Sequence, residues 1–184
     1  MRITGGSLRS RRLFSINVST LRPATDRLRE TMFDIMANII DIEGIRALDL
    51  YAGTGSVGFE AISRGATKVT FVESERKTAD VLWRNAVALG IEENCSLRVM
   101  TVEKFLRSCV ECFDVVYVDP PYALNDGTHK VVSELSERRL LKPGGIICVE
   151  HSKVYSPPRS IMLRQKAFGS TILSIIKPET VCQD

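Results

Sequence analysis

The chain has only two histidines and one tryptophan, and no run of 18 apolar residues. So few imidazoles argue against a metal-centred mechanism, because histidine is the commonest metal ligand. Without a long apolar run, no segment reads as a membrane-spanning helix. The five cysteines (Cys95, Cys109, Cys112, Cys148 and Cys182) are odd in number and scattered. That usage fits a reducing cytoplasm rather than a disulfide scaffold. Cys109-x-x-Cys112 has no second thiol pair beside it and reads as two ordinary side chains. Met1 to Arg12 is polar and basic, so no secretory leader is expected. Internal repeats, low-complexity tracts and long Pro/Gly/Ser linkers are missing too, and one domain over residues 1–184 is expected.

Lysine is absent from the first thirty residues, which carry Arg2, Arg9, Arg11, Arg12, Arg22, Arg27 and Arg29 against Asp26 and Glu30 alone. Arginine at this density marks phosphate contact and therefore a nucleic-acid partner, with a solvated charged face as the plainer alternative. Arg22, Arg29 and Glu30 flank a helix start, so part of the set is open to a bracing role instead.

Residues 1 to 20 alternate loosely around Gly5-Gly6 and predict a small basic β-hairpin. From Thr25, a plausible N-cap, Leu28, Met32, Ile35, Met36, Ile39 and Ile40 follow helical spacing that fades before Gly44. A strand is expected to end near Leu50, then a glycine turn and a helix opening at Phe59. Further strands are expected at Lys68 to Glu73, Ser96 to Met100, Val115 to Val118 and Ile146 to Glu150. Helices are expected at Glu75 to Leu89, Val102 to Arg107 and Thr128 to Leu141. In the first of these three, Ala79, Leu82, Trp83 and Ala86 are expected to face inward. A turn at Lys142 to Gly145 and two final strands, Ile161 to Lys166 and Thr171 to Ile176, complete the pattern. Regular alternation of strand and helix predicts an α/β fold: an open, mostly parallel, seven-stranded doubly wound sheet with helices on both faces.

Two stretches carry chemistry. The run Asp114-Val-Val-Tyr-Val-Asp119-Pro120-Pro121-Tyr122 reads as a buried strand stopped by two prolines, which cannot donate to a ladder. It would hold Asp119 and Tyr122 on a stiff corner at the carboxyl end of a strand, where open α/β sheets bind ligands. An acceptor carboxylate, a fixed proline carbonyl and an aromatic ring suit a flat, amine-bearing ring. The bland reading is a tight turn capped by Asp119.

The second stretch, Gly53-x-Gly55-x-x-Gly58 with Glu73 ending the next strand, matches a dinucleotide fingerprint and by itself allows a nicotinamide enzyme. Three features oppose that. Asp49 precedes the glycines, where a carboxylate would crowd a pyrophosphate but suit a cationic amino-acid ligand. Little chain remains for a second substrate domain. The Asp-Pro-Pro-Tyr corner has no role in hydride transfer.

Together these residues resemble the class I methyltransferases that use S-adenosylmethionine, Rossmann-like in fold, and Asp119 to Tyr122 is similar to their motif for methylating amine or amide nitrogens. Arg2-Ile-x-Gly-Gly, the Leu21 to Thr31 segment, Asp49 to Ser56 and Asp119 to Tyr122 occur in that order. This order resembles the bacterial 16S rRNA guanine-N2 methyltransferase family, RsmD, over nearly the whole chain. The resemblance implies a basic hairpin extension at residues 1–20 and a catalytic core at 21–184. It implies S-adenosylmethionine as cofactor, held by Asp49, Tyr51, Gly53, Gly55, Glu73, Ser74, Thr101, Val102 and Asp119, with Glu73 on the ribose hydroxyls. Thr101 stands where Asp or Asn is common, so the adenine contact falls to backbone near Val102. Asp119, Pro120, Pro121 and Tyr122 are the implied catalytic set. With an ordinary carboxylate pKa of about 3.9, Asp119 is expected to orient the amine rather than deprotonate it. Arg9, Arg11, Arg12, Arg22, Arg27 and Arg29 are the expected RNA contacts. The expected partner is 16S rRNA or the assembling small ribosomal subunit, bound by a cytoplasmic monomer with no metal and no membrane. The alternatives are an N6-adenine DNA or RNA methyltransferase, a glutamine-amide methyltransferase, and a non-catalytic RNA-binding assembly factor.

Overall fold

A computed structural model describes residues 1–15, 26–121, 125–159 and 161–182. In chain order it has α1 (Asp26–Met36), β1 (Arg46–Leu50), α2 (Ser56–Ser63), β2 (Lys68–Glu73), α3 (Arg76–Leu89) and β3 (Cys95–Val99). There follow α4 (Val102–Ser108), β4 (Phe113–Val118), α5 (Asn125–Glu137), β5 (Leu141–His151), β6 (Met162–Phe168) and β7 (Thr171–Ile176). The strands form one sheet in the order β3-β2-β1-β4-β5-β7-β6. β1 to β5 run parallel to their neighbours, and β7 inserts antiparallel between β5 and β6. The open, mostly parallel seven-stranded sheet expected from the alternation is therefore present.

The two faces follow from side-chain alternation along the strands. On one face Val115, Tyr117, Ile146 and Cys148 pack with Met32 and Phe33 of α1, Phe59 of α2 and Leu82 of α3. On the other, Val116, Val118, Ile147 and Val149 pack with Phe105 and Leu106 of α4 and Leu135 of α5. Strand order reverses direction between β1 and β4, which opens a crevice at their carboxyl ends. The connections at the opposite rim are plain surface loops; in the one before β4, Val110 is 90% exposed.

Several boundaries differ from the periodicity. α1 ends at Met36 and leaves Ile39 and Ile40 in a turn. α5 starts three residues earlier than expected and stops at Glu137, short of Leu141. β3 begins at Cys95 and stops at Val99. The Lys142 to Gly145 turn is swallowed into β5: Phe113 pairs with Leu141 and Val115 with Ile146, so the four residues between bulge opposite Asp114. Trp83 is not inward but 41% exposed, since Leu82 and Ala86 already fill the α3 stripe. Cys112 is joined to Cys182 in a disulfide, with Cα atoms 6.5 Å apart, so the reading of Cys112 as an ordinary thiol is corrected. The first residues form a single antiparallel bridge, Arg2 to Arg12; residues 16–20 of the expected hairpin and the Thr25 cap lie outside the described residues. Among the described residues, no helix is long and apolar enough to cross a membrane.

Candidate active site

The site is built where β1 and β4 end side by side. Leu50 pairs with Val118, so the glycine turn leaving β1 and the Asp119 corner leaving β4 start from neighbouring strands about 4.8 Å apart. Tyr51 takes a left-handed φ of 61° as the chain leaves β1. Gly55 then caps α2 at φ 87°, and a Cβ there would fall 2.4 Å from the Phe59 ring. Only glycine fits that turn. Gly58 is required for another reason, because a Cβ would meet the Phe71 ring at 2.1 Å; the helix backbone packs there directly on side chains of β2.

The carboxylates around the turn fit a cationic, hydroxyl-bearing ligand better than a phosphate. The Gly58 N–H near the start of α2, which would serve an anion, donates instead to Asp49 Oδ2 at 3.0 Å. Asp49 is buried, and its carboxyl is pushed up to about 7. Loss of solvation is the main cause, opposed by the Gly58 hydrogen bond and assisted by repulsion from Glu73 and Glu150. A nearby cation would restore its charge. Glu73 Oε2 accepts from Gly53 N at 2.9 Å and its Oε1 from Glu75 N at 2.8 Å. Each oxygen keeps a second lone pair for a hydroxyl. These residues fit S-adenosylmethionine. Ser74 is exposed beside them. The Thr101 hydroxyl accepts from Lys104 N at 3.3 Å and caps α4, with Val102 buried behind it. Half-buried Tyr51 has its hydroxyl pushed up to about 12, by desolvation first and then by Glu103 and Glu134.

Asp119 is half-buried at the head of β4, followed by half-buried Pro120 and exposed Pro121. Its carboxyl does not titrate in the ordinary range, which corrects the expectation of a plain orienting carboxylate. Desolvation, then Glu150, then Asp49 raise it well above the usual value. Glu150, at the adjoining position of β5, was not singled out by the sequence; it accepts a short hydrogen bond from the Tyr117 hydroxyl. Tyr122 and Arg22 lie outside the described residues.

The basic N-terminal segment is pinned against this machinery by two buried polar side chains that periodicity did not mark. The Glu60 carboxylate on α2 accepts from Thr4 N at 2.8 Å, Thr4 Oγ1 at 2.7 Å, Gly5 N at 2.7 Å and Arg64 Nε at 2.9 Å. Asn85 on α3 bonds both the N–H and the C=O of Phe14 and also donates to Thr54 O in the glycine turn. Arg29, expected among the RNA contacts but also open to a bracing role, is fully buried. It donates to Glu60 at 3.3 Å, Asp26 at 2.9 Å and Arg2 O at 2.6 Å, so its guanidinium holds α1 and the first residues together. Arg9, Arg11, Arg12 and Arg27 are exposed as an RNA face requires, with Arg11 also donating to Ala88 O at 3.0 Å.

Solved structures share this fold. The yhhF protein of Escherichia coli superposes with a TM-score of 0.85 at 30% identity, over 98% of each chain. A hypothetical protein of Thermus thermophilus superposes at 0.84 and 28% identity, over 96% of this chain and 99% of that one. Fold and site together define a class I methyltransferase, and the chain is an enzyme of that class.

The sequence relatives narrow the class. "Ribosomal RNA small subunit methyltransferase D" of Haemophilus influenzae is 37% identical over 176 residues, covering 92% of this chain and 89% of that protein. The protein of the same name from Buchnera aphidicola is 33% identical over 173 residues, covering 92% and 88%. The family described as Conserved hypothetical protein 95 matches residues 1–177. The chain belongs to that family, which is the RsmD family of methyltransferases.

Proposed function

We propose that this enzyme methylates the exocyclic N2 amine of one guanine in small-subunit ribosomal RNA, with S-adenosylmethionine as donor, in the bacterial cytoplasm. The observation that carries the reading is the adjacency of two corners. An Asp-Pro-Pro corner on β4 abuts an acidic, glycine-turned pocket on β1, in a chain whose relatives are named for ribosomal RNA methylation.

When bound, S-adenosylmethionine supplies a methyl group on an electron-poor sulfonium. Asp49, Gly53, Gly55 and Glu73 would hold it, and backbone at Thr101 and Val102 would meet its adenine. The rest is positioning by this chain. Asp119 and the Pro120 carbonyl accept the two N–H bonds of the target amine, turning its lone pair toward the pocket. Tyr122, the next residue of the motif, is assigned by sequence to stack the base, which must leave its own stack to arrive. Burial, then Glu150 and Asp49, raise the Asp119 carboxyl above the ordinary range, so it is a stronger proton acceptor than an ordinary carboxylate as well as the group that orients the amine. Arg9, Arg11, Arg12 and Arg27 supply the phosphate contacts.

The deciding experiment incubates the protein with methyl-labelled S-adenosylmethionine and unmodified small subunits or their naked RNA, then digests the RNA and identifies the labelled nucleoside. Label in N2-methylguanosine is expected. Label in N6-methyladenosine, in protein, or nowhere overturns the reading.

A further inference from the structure

The site holds a carboxylate that the methyl-transfer reading leaves without a task. Val118 pairs with Val149 in parallel register, so the next residues, Asp119 and Glu150, stand side by side on adjoining strands and face the same side of the sheet as Asp49. Asp119, Pro120, Thr128, Glu150 and His151 line one small cleft. Glu150 is 6% exposed, and an acid is rarely buried so near another without cause.

Its surroundings keep it chargeable rather than permanently neutral. The Tyr117 hydroxyl donates to Glu150 Oε1, and the buried Arg29 of α1 lies near enough to favour its charged form. Among the described residues, the other charged or titratable neighbours are Asp49 on β1, Asp119 just past the end of β4, and His151 on its own strand. That imidazole is already engaged, with Nε2 on Ser174 Oγ of β7 at 2.8 Å and Nδ1 on Ser152 O at 2.7 Å. Burial raises the Glu150 carboxyl to about 7, opposed by the Tyr117 hydrogen bond and by Arg29.

We propose that Glu150 is the onward acceptor of the reaction's proton: Asp119 takes it from the methylated amine, and Glu150 takes it from Asp119 across the shared cleft. The inference rests on the function proposed above. The amine nitrogen is cationic once methylated and gives one N–H proton to the Asp119 carboxylate, returning to a neutral amine. Asp119 passes that proton to the Glu150 carboxylate and is ionised again, ready to accept the next amine. The proton leaves Glu150 for solvent when the product departs. Glu150 acts through Asp119 and is a positioning residue, not a catalytic one. Tyr117 sets the pH at which Glu150 is open to a proton, because its hydrogen bond stabilises the carboxylate.

The test is single-turnover methyl transfer to unmodified small subunits from about pH 5 to 9, for the wild type, Glu150→Gln and Tyr117→Phe. Glu150→Gln should lower the plateau rate by roughly tenfold, and the acid limb should move down by about one pH unit as Asp119 loses a like-charged neighbour. Tyr117→Phe should move the acid limb the other way, upward, with the rate recovering at high pH. Opposite shifts from two neighbouring substitutions are not the mark of a merely structural pair. Donor affinity measured by calorimetry should stay within about threefold of wild type for both. If Glu150→Gln does not fold, the upward shift in Tyr117→Phe carries the test alone, and its absence overturns the inference. A wild-type plateau and pH profile in Glu150→Gln also overturns it, while the loss of activity in Asp119→Ala leaves the proposed function standing. A wild type that methylates no RNA ends both.

Discussion

Glu60 holds Thr4 by two bonds, accepting its backbone N–H at 2.8 Å and its hydroxyl at 2.7 Å, across 56 residues of sequence. The same buried carboxylate faces the Arg29 guanidinium at 3.3 Å and that of Arg64 at 2.9 Å. One side chain thus fixes the basic N-terminal segment to the helix that opens at the glycine turn.

Replacing Glu60 by alanine leaves Arg29 buried without its buried counter-charge, with half-exposed Asp26 still beside it. Removing one partner of such a pair costs about 3–5 kcal/mol, read as a lower denaturation midpoint. Limited proteolysis should then cut first within residues 1–15. A midpoint unchanged from wild type would show that the N-terminal segment is held by other contacts.

Asp119→Ala should lower the methyl-transfer rate by at least about a hundredfold, with donor affinity retained because the glycine turn and Glu73 are untouched. Single-turnover kinetics beside calorimetry separate the two quantities. Near-normal turnover would remove Asp119 from the chemistry.

If Asp49 holds the donor as proposed, donor binding should depend on pH. Its carboxyl rises from the ordinary 3.8 to about 7 in the folded chain, so the folded state keeps a proton that the unfolded state releases. Stability from this group is therefore full below about pH 4 and is lost as pH climbs toward about 7. A cationic donor needs the ionised form. Its affinity should improve as pH rises, falling off by about tenfold per unit below 7. In Asp49→Asn the affinity should be weaker and flat with pH, while the unliganded protein gains stability at neutral pH. A wild-type affinity that does not change between pH 5 and pH 7 would contradict this assignment.

The exposed arginines should set the salt dependence of RNA binding. Changing Arg9, Arg11 and Arg12 together to alanine should flatten the log–log salt slope by about 2 to 3, close to one per lost phosphate contact. An unaltered slope would place the RNA on another surface. Arg29→Ala should act on stability first, since its guanidinium is out of reach of solvent.

The parts of this molecule that repeat locally were legible in its residues. Strand and helix alternate with clear periods, the Asp119-Pro-Pro corner stops a strand by proline chemistry, and the glycine spacing marks a turn that sterics demand. What stayed hidden depends on pairing across long stretches of chain. A bracing role for Arg29 was open from its place at a helix start, but its partner Glu60 could not be named because it lies in another helix. A signal for Glu60 did exist: Phe59, Ala61 and Ile62 surround it on a helix buried on all sides, where a carboxylate must be paired. Glu150 sits at the end of an apolar strand run, but only the register of β4 against β5 shows that it stands beside Asp119. Likewise the raised titration of Asp119 comes first from burial and then from neighbours on two other strands. Trp83 was misassigned because a helical stripe has limited width, and smaller residues had already filled it.

The glycine turn and the Asp119 corner lie at one rim of the sheet, and the loop carrying Val110 lies at the other. That far rim offers a place to attach a fluorescent dye or a short affinity handle without touching the donor pocket. A cysteine-free background with one engineered thiol there would let substrate capture be watched in real time.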